Sequence, residues 1–600
     1  GSMNGKRFFL DNKQAYCFLA YFAILIVTFL ILILSTSSMR VQYDKESSKI
    51  KEQGETLRGL LRDELIEKQS FQRQSVDAQD ALKKLQQDLE DLQVVQQRTL
   101  RDIERLQEFS NQPVPVIYHL PPPQTFEIPK LQSRNGGADI EKRNAVKAAF
   151  LHAWDSYKAY AWGRDELNPL TKGPKTWLDL GITIVDSLDT LWIMGLREDF
   201  DIARDWVANN LSFEKSRHVS FFETTIRSLG GLLSAYEFSK DQVFLDKAAD
   251  LGDRLLKAFT DDSPIPMGSV NLSSGQSSTP SWTGGSCILS EIGTIQLEFL
   301  YLSYYTNNPI YAQKAMKVFD HLDGLHKEKE GLYPLYINQK TGQFRGIDYS
   351  IGALGDSFYE YMLKLWLFTD KQGDGYRRMY EESARGMQAH LVQTSVSGYR
   401  YMAQTKGQTL EKKMEHLTCF TGGMFALGAI ETIVPSEANE HLKLGGDLTA
   451  TCHKAYDSTP TKLGPEVFEF PNGQEFKSGS SYYILRPETV ESYFVLWRAT
   501  HEQKYRDWAW EAFQAIETHC KMEAGYSGVR NVNAVPVQHD DTQQSFFLAE
   551  TLKYLYLIFE DDDVVPLSDY VFNTEAHPLG KLREPLENWN PDIAATIMIN

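Results

Sequence analysis

Cysteine is scarce in this chain, five residues in 600. They are too few and too scattered for the disulfide framework of a small secreted scaffold, and none has the paired spacing of a zinc site. Basic charge is in deficit: 62 lysines and arginines stand against 80 acidic residues, a formal charge of −18 with a pI near 5.3. That balance argues against nucleic acid as a partner, because phosphate binding needs basic patches. Long apolar runs are lacking except for Tyr16–Leu34, which has the length of a membrane-spanning helix. Between about residues 40 and 110 glycine and proline are sparse and charge is dense, the composition of a solvated helical stem. The length itself exceeds one ordinary compact core, which stops growing at roughly 250–300 residues, so the chain holds several domains or a repeat toroid.

Lys6, Arg7 and Lys13 precede the apolar run, and Arg40, Asp44, Lys45 and Glu46 follow it. This bias favours a cytoplasmic N-terminus with the long C-terminal part across the membrane. The run is longer than a signal-peptide core, so an uncleaved anchor is expected, a cleaved leader being the alternative. The expected organisation is a cytoplasmic tail (3–15), a transmembrane signal anchor (16–35), a helical stem (36–111), a proline-rich linker (112–138) and a mainly α-helical domain (139–600). In the stem, Leu82, Leu85, Leu89 and Leu92 follow heptad spacing; a lone stalk helix and a homodimeric coiled coil fit equally well. A domain facing an oxidising lumen can keep a disulfide, and Cys419 and Cys452 lie 33 residues apart. Cys287 and Cys520 read as buried thiols. Asn210 and Asn271 each open an Asn-Leu-Ser glycosylation triplet.

What is abundant is a carboxylate at the start of an aromatic-rich helical segment. Glu223, Glu291, Asp356, Glu488 and Glu550 mark such segments at spacings of 68, 65, 132 and 62 residues, and Glu415 falls within the double gap. A period near 65 accommodates two helices and their connections, which predicts a ring of helical hairpins. Any one of these acids also reads as an ordinary helix cap. Gathered around one ring, they have the layout of an acid–base site, where two roles need opposite protonation states. Arg227 follows Glu223 at i+4, as a clamp or as a plain surface pair. Arg486-Pro487 precedes Glu488, and proline suits a first helical turn; Glu491 follows on nearly the same face. In Asn573–Pro578, Thr574 offers a hydroxyl and a carbonyl to a hard cation, or forms a simple turn. His416 and His577 are lone histidines. Phe546, Phe547 and Trp282 suit sugar stacking, or burial.

These segments, with DSLDTLWIMGL, FFETTIR, GDSFYEY, RPETVES, SFFLAETLKYLYL and VFNTEAHP in order, resemble the class I α-1,2-mannosidases of glycoside hydrolase family 47 over roughly residues 140–580. The resemblance implies an all-α (αα)7 barrel, a bound calcium ion and hydrolysis with inversion. It implies Glu223 as general acid through a water, Asp356 as a second acid, and Glu488 as the base that activates water. Thr574 matches the protein ligand of calcium. Arg227, Glu291, Glu415, His416, Arg486, Glu491, Phe546, Glu550 and Glu575 match positions lining the sugar site, and Cys419 and Cys452 match the family disulfide. Leu354 stands where ER-type members carry an arginine, as in Golgi-type members. That subtype implies trimming of high-mannose N-glycans to Man5GlcNAc2 by a single-pass type II protein of the Golgi membrane. The rival expectations are an ER quality-control protein that recognises or slowly trims glycans of misfolded clients, and a membrane tether that only binds them.

Overall fold

The computed structural model describes residues 137–598 apart from 261–262, 432–434 and 472–475. The expected tail, anchor, stem and nearly all of the linker lie outside the described residues. Among the described residues, no helix is long and apolar enough to cross a membrane.

The domain is mostly helical, and two kinds of helix alternate along it. Helix α1 (Ile140–Tyr160) starts at Asp139, whose Oδ1 accepts from the Lys142 N–H. Helix α2 (Ile182–Ile193) is buried at every residue from Ile182 to Leu191, whereas α3 (Arg197–Asn209) buries only the stripe Phe200, Ala203 and Val207. Such a stripe marks a helix with one face in solvent, and burial all round marks one inside the fold. The alternation continues through α4 (Gly230–Ser239) and α5 (Gln242–Leu255), α6 (Gln296–Thr306) and α7 (Ile310–Asp323), and α8 (Asp356–Phe368) and α9 (Asp374–His390). It then runs through α10 (Thr421–Ile430) and α11 (Ala438–Asp457), and α12 (Glu488–Thr500) and α13 (Gln503–His519). Helix α14 (Leu552–Ile558), wholly buried, packs on α1.

Each buried helix touches the next, from α2 through α14, and the turn preceding α14 packs back on α2. The ring expected from the 65-residue period therefore closes. Gly231 sets the approach of α4 to α2: a Cβ there would lie 2.7 Å from the Val185 carbonyl oxygen. Two π-turns, Thr224–Leu229 before α4 and Phe547–Thr551 before α14, interrupt the helical ladder. Such bulges concentrate at functional sites.

Short antiparallel strands join the helical pairs. Strand β1 (His218–Ser220) pairs with β2 (Ser269–Asn271), and β3 (Ser286–Ile288) with β4 (Tyr336–Asn338). Strand β5 (Lys413–Glu415) pairs with β6 (Val467–Glu469) in the register Glu415↔Val467. Strands β8 (Tyr570–Phe572) and β9 (Pro578–Gly580) form a hairpin whose turn is Asn573–His577, and β7 (Lys477–Ser478) extends the β5–β6 sheet. Cys419 and Cys452 form the disulfide, joining the 3-10 turn His416–Phe420 to α11. Cys287 and Cys520 are free and buried. Asn210 is exposed. Asn271 is buried, and its Oδ1 accepts from the Ser273 and Ser274 N–H groups.

Candidate active site

Glu223 closes the turn Phe221–Glu223, capped by Ser220, whose Oγ accepts from the Glu223 N–H at 3.2 Å. The π-turn follows, and from it Arg227 Nε donates to Glu223 Oε2 at 2.7 Å. Arg227 is buried, and its Nη1 also donates to Glu575 Oε1 (2.5 Å) and Ser545 Oγ (3.0 Å). Ser545 in turn donates to Asp186 Oδ2 at 2.5 Å. Burial works against the arginine's charge, but Glu575, Glu223 and Asp186 outweigh it and raise its pKa well above the ordinary value. The Phe546 ring faces the guanidinium with its centroid 5.7 Å away, a cation–π contact. The expected clamp is thus a five-membered network rather than a surface pair.

Glu488 opens α12 behind Pro487. Its Oε2 lies 2.8 Å from His416 Nδ1, and its Oε1 3.5 Å from Arg486 Nη1. Glu466 grips Arg486 in a bidentate pair, both N···O distances 2.6 Å, a geometry that fixes the guanidinium plane. Burial opposes ionisation of Glu488, but Arg486 and the His416 hydrogen bond prevail and hold its pKa below the ordinary value. Asp356 opens α8, and its Oδ1 accepts from the Ser357 N–H at 2.9 Å. Burial, reinforced by Glu360, Glu415 and Glu488, pushes it up to about 7. One carboxyl is held charged and a second, within its field, is pressed toward neutrality, the division an acid–base pair needs.

Glu291 lies in the turn Leu289–Ile292, and burial together with Glu223 raises it to about 7. Its buried Oε2 makes no hydrogen bond among the described residues, which leaves an acceptor for a hydroxyl. Leu354 adopts a left-handed conformation, φ +76°, and its carbonyl accepts from the Ser290 N–H at 3.0 Å. The neighbouring Ala353 N–H donates to Glu415 Oε2 at 2.8 Å. The loop entering Asp356 is therefore pinned on one side by the Ser290 backbone, next to Glu291, and on the other by the Glu415 carboxylate. Burial, first among its causes, also raises Glu491 and Glu575 to about 8 and Glu550 well above its ordinary value. Thr574 Oγ1 donates to Glu360 Oε2 at 2.8 Å, and the other Glu360 oxygen pairs with Lys364.

Not every acid sits at a helix start. Glu415 ends strand β5, and Glu550 lies inside the second π-turn. Asp186, Glu360, Lys364, Glu466 and Lys553 escaped the sequence reading although each braces the cluster. Lys553, fully buried, pairs with Asp189 at 2.9 Å and donates to the Ala576 carbonyl at 2.6 Å, while His577 Nδ1 lies 2.7 Å from Asp189. A signal was present: lone lysines in the apolar runs YMLKLWLF and TLKYLYLIF. A charge inside an all-apolar helix must find a partner.

A closed ring of helices that gathers carboxyls of opposed protonation tendency has the layout of an acid–base enzyme. The sequence matches Glycosyl hydrolase family 47 over residues 149–581, and the chain belongs to that family. It is similar to the mannosyl-oligosaccharide 1,2-alpha-mannosidase IA of Sus scrofa, 44% identical over 526 residues that cover 85% of this chain and 78% of the relative. The Homo sapiens mannosyl-oligosaccharide 1,2-alpha-mannosidase IB is 46% identical over 474 residues, 77% of this chain and 73% of that protein. Among solved structures, the alpha-1,2-mannosidase from Trichoderma reesei superposes with a TM-score of 0.70 at 31% identity, covering 74% of this chain and 100% of that one.

Proposed function

We propose that the protein is a Golgi-type α-1,2-mannosidase that removes terminal α-1,2-linked mannose from Man8–9GlcNAc2 N-glycans to leave Man5GlcNAc2, with inversion. The observation that carries the chemistry is the opposed tuning of Glu488 and Asp356. The named relatives supply the substrate class, and Leu354 favours the Golgi subtype. The alternating buried and amphipathic helices support an (αα)7 barrel. The apolar run Tyr16–Leu34 supports a single-pass type II anchor with the catalytic domain in the lumen, and the heptads beyond it support a stem able to dimerise.

In this reading Glu488, kept ionised by Arg486 and His416, takes a proton from the attacking water. Glu223, fixed by Arg227, delivers a proton through a water to the leaving oxygen, and Asp356 supplies a second protonated carboxyl beside the reacting bond. Glu291, Glu415, Glu491, Glu550 and Glu575 face the sugar hydroxyls and the waters between them, with Phe546 against the ring. General acid and base action of this kind contributes about 10²–10⁴-fold each.

The residues fit a calcium ion. The available donors are oxygens, which a hard cation prefers, and Thr574 uses its proton on Glu360, leaving its oxygen lone pairs free. Buried Glu491, Glu550 and Glu575, pressed toward neutrality by burial, are carboxyls that a cation beside them would favour in the charged form. Among the described residues no group of three or more histidine, cysteine or acidic side chains is placed to hold a metal, so Thr574 would be the protein ligand and water or sugar hydroxyls the remainder. Such an ion orients sugar hydroxyls and makes a neighbouring water more acidic.

The test is incubation of the soluble domain with Man9GlcNAc2, with and without a calcium chelator, read by mass and proton NMR. Calcium-dependent release of β-mannose, ending near Man5GlcNAc2, is expected. A folded, calcium-loaded domain that releases no mannose refutes the proposal.

A further inference from the structure

The buried ring of His416 is held at both nitrogens. Nδ1 lies 2.8 Å from Glu488 Oε2, and Nε2 lies 2.7 Å from the hydroxyl of Tyr456, in α11. Neither side chain has appreciable exposure: His416 is 0% and Tyr456 4% accessible. An ionised carboxylate can only accept, so the proton that faces Glu488 belongs to Nδ1. A neutral imidazole then presents a lone pair at Nε2, and the Tyr456 hydroxyl is the donor that meets it. Burial raises the tyrosine's own pKa far beyond its ordinary value, so the hydroxyl keeps its proton.

Among the described residues the Tyr456 hydroxyl is the partner of Nε2, and Thr489 and Tyr483 approach the same hydroxyl. Phe468 meets the imidazole edge-on and the Tyr483 ring stands 6.1 Å away. The His416 backbone N–H is spent on the Glu466 carbonyl, at 2.8 Å. Glu488 is faced by Arg486 and Glu491 from its own segment, Asp356 from α8 and Glu550 from the second π-turn, and the free thiol of Cys520 lies beyond Tyr456.

A second observation concerns the two backbones. His416 lies three residues before Cys419, and Tyr456 four residues after Cys452, so the disulfide ties together the two turns that carry the hydrogen-bonded pair. A covalent link one turn from each partner restricts their separation directly.

We propose that Tyr456 is a positioning residue that locks His416 in its Nδ1–H tautomer, stapled in place by the Cys419–Cys452 bond, and through it aims and sustains Glu488 as the base. The inference rests on the reading of Glu488 given above. Without the hydroxyl, either the proton moves to Nε2, turning a lone pair toward Glu488, or a second proton adds there and forms an ion pair. In the first case repulsion raises the carboxyl's pKa and fewer molecules carry the ionised base; in the second the ion pair makes the carboxylate a poorer proton acceptor.

The experiment is the pH dependence of Man9GlcNAc2 turnover by Tyr456→Phe, which removes one oxygen and keeps the ring. The expected result is a kcat about tenfold lower, a KM within about twofold of wild type, and an acid limb of kcat/KM moved by about one pH unit, upward where the tautomer flips and downward where the ring gains a proton. A variant that folds and keeps the wild-type profile overturns the lock. A second measurement needs neither turnover nor the variant: nitrogen-15 NMR of the histidine rings in the wild-type domain, with His416→Asn to assign the signals. Protonated Nδ1 and an accepting Nε2 support the proposal, and the reverse tautomer or a doubly protonated ring at neutral pH overturns it. A wild-type domain without mannosidase activity would refute the functional reading, while the ring signals would still decide the tautomer.

Discussion

Arg227 Nε and Glu223 Oε2 lie 2.7 Å apart across a π-turn, so the candidate acid is held from within its own helix. The same guanidinium grips Glu575 on the Asn573–His577 turn. One side chain therefore aligns the acid with the turn that carries Thr574. Removing it with Arg227→Ala should disturb both, leaving buried Glu575 without its cation.

Glu488→Gln keeps the side-chain shape and both neighbours, Arg486 and His416, but cannot take a proton. Turnover should fall by about 10²–10⁴-fold, with thermal stability close to wild type. Measured kcat and a thermal melt check this, and near-normal turnover removes Glu488 from the base role.

Asp356 and Glu291, both pushed up to about 7 by burial first, make the metal-free domain pH-sensitive. Each binds its proton more tightly folded than unfolded. Below the ordinary carboxylate range both states are protonated and no penalty exists; as pH rises toward about 7 the unfolded chain releases its protons first, and folding stability falls. Melting temperatures of the chelated protein should therefore decline from about pH 5 through about pH 7, and on toward about pH 8 as Glu491 and Glu575 follow. A flat or rising profile contradicts the burial of these two acids.

Thr574→Ala removes the side-chain hydroxyl that the proposal sets against calcium and keeps the residue's carbonyl. Calorimetric titration should show calcium affinity at least about tenfold weaker, and the thermal shift produced by calcium in the wild type should shrink in step. Unchanged affinity would move the cation elsewhere in the acid cluster.

Gly231→Ala tests the ring rather than the chemistry. Its methyl would collide with the Val185 carbonyl, 2.7 Å from the new Cβ, and overpacking of this kind costs about 1–3 kcal/mol. Urea denaturation is the measurement, and a fully stable variant would show that α2 and α4 can separate without cost.

The ring was legible because Glu223, Glu291, Asp356 and Glu488 recur beside aromatic helices at a near-constant period. For the Cys419–Cys452 pair and the Thr574 turn the residues alone leave alternatives open, and the resemblance chooses among them. What stayed hidden is pairing between distant elements. Glu466 reads as an unremarked acid beside a short strand until Arg486 closes on it, and Tyr456 reads as one more apolar-face residue of α11 until His416 meets it. Glu415 and Glu550 misled in a local sense, because a strand end and a π-turn leave no distinct mark on hydrophobic periodicity.

The two π-turns give the site an arithmetic of its own. Each adds one residue to a helical turn, and in an α-helix one residue is about 100° of rotation. Deleting one residue of Thr224–Ile226 would restore an ordinary helix and swing Arg227 by about that angle relative to Glu223 while the apolar pattern of α4 survived almost unaltered. The same holds for Phe547–Thr551 and Glu550. A chain with such a deletion would still fold, yet carry a scrambled set of acids. Over evolutionary time, insertions and deletions at these two places should be purged far more stringently than substitutions beside them, a signature that comparison of many relatives can read without any assay.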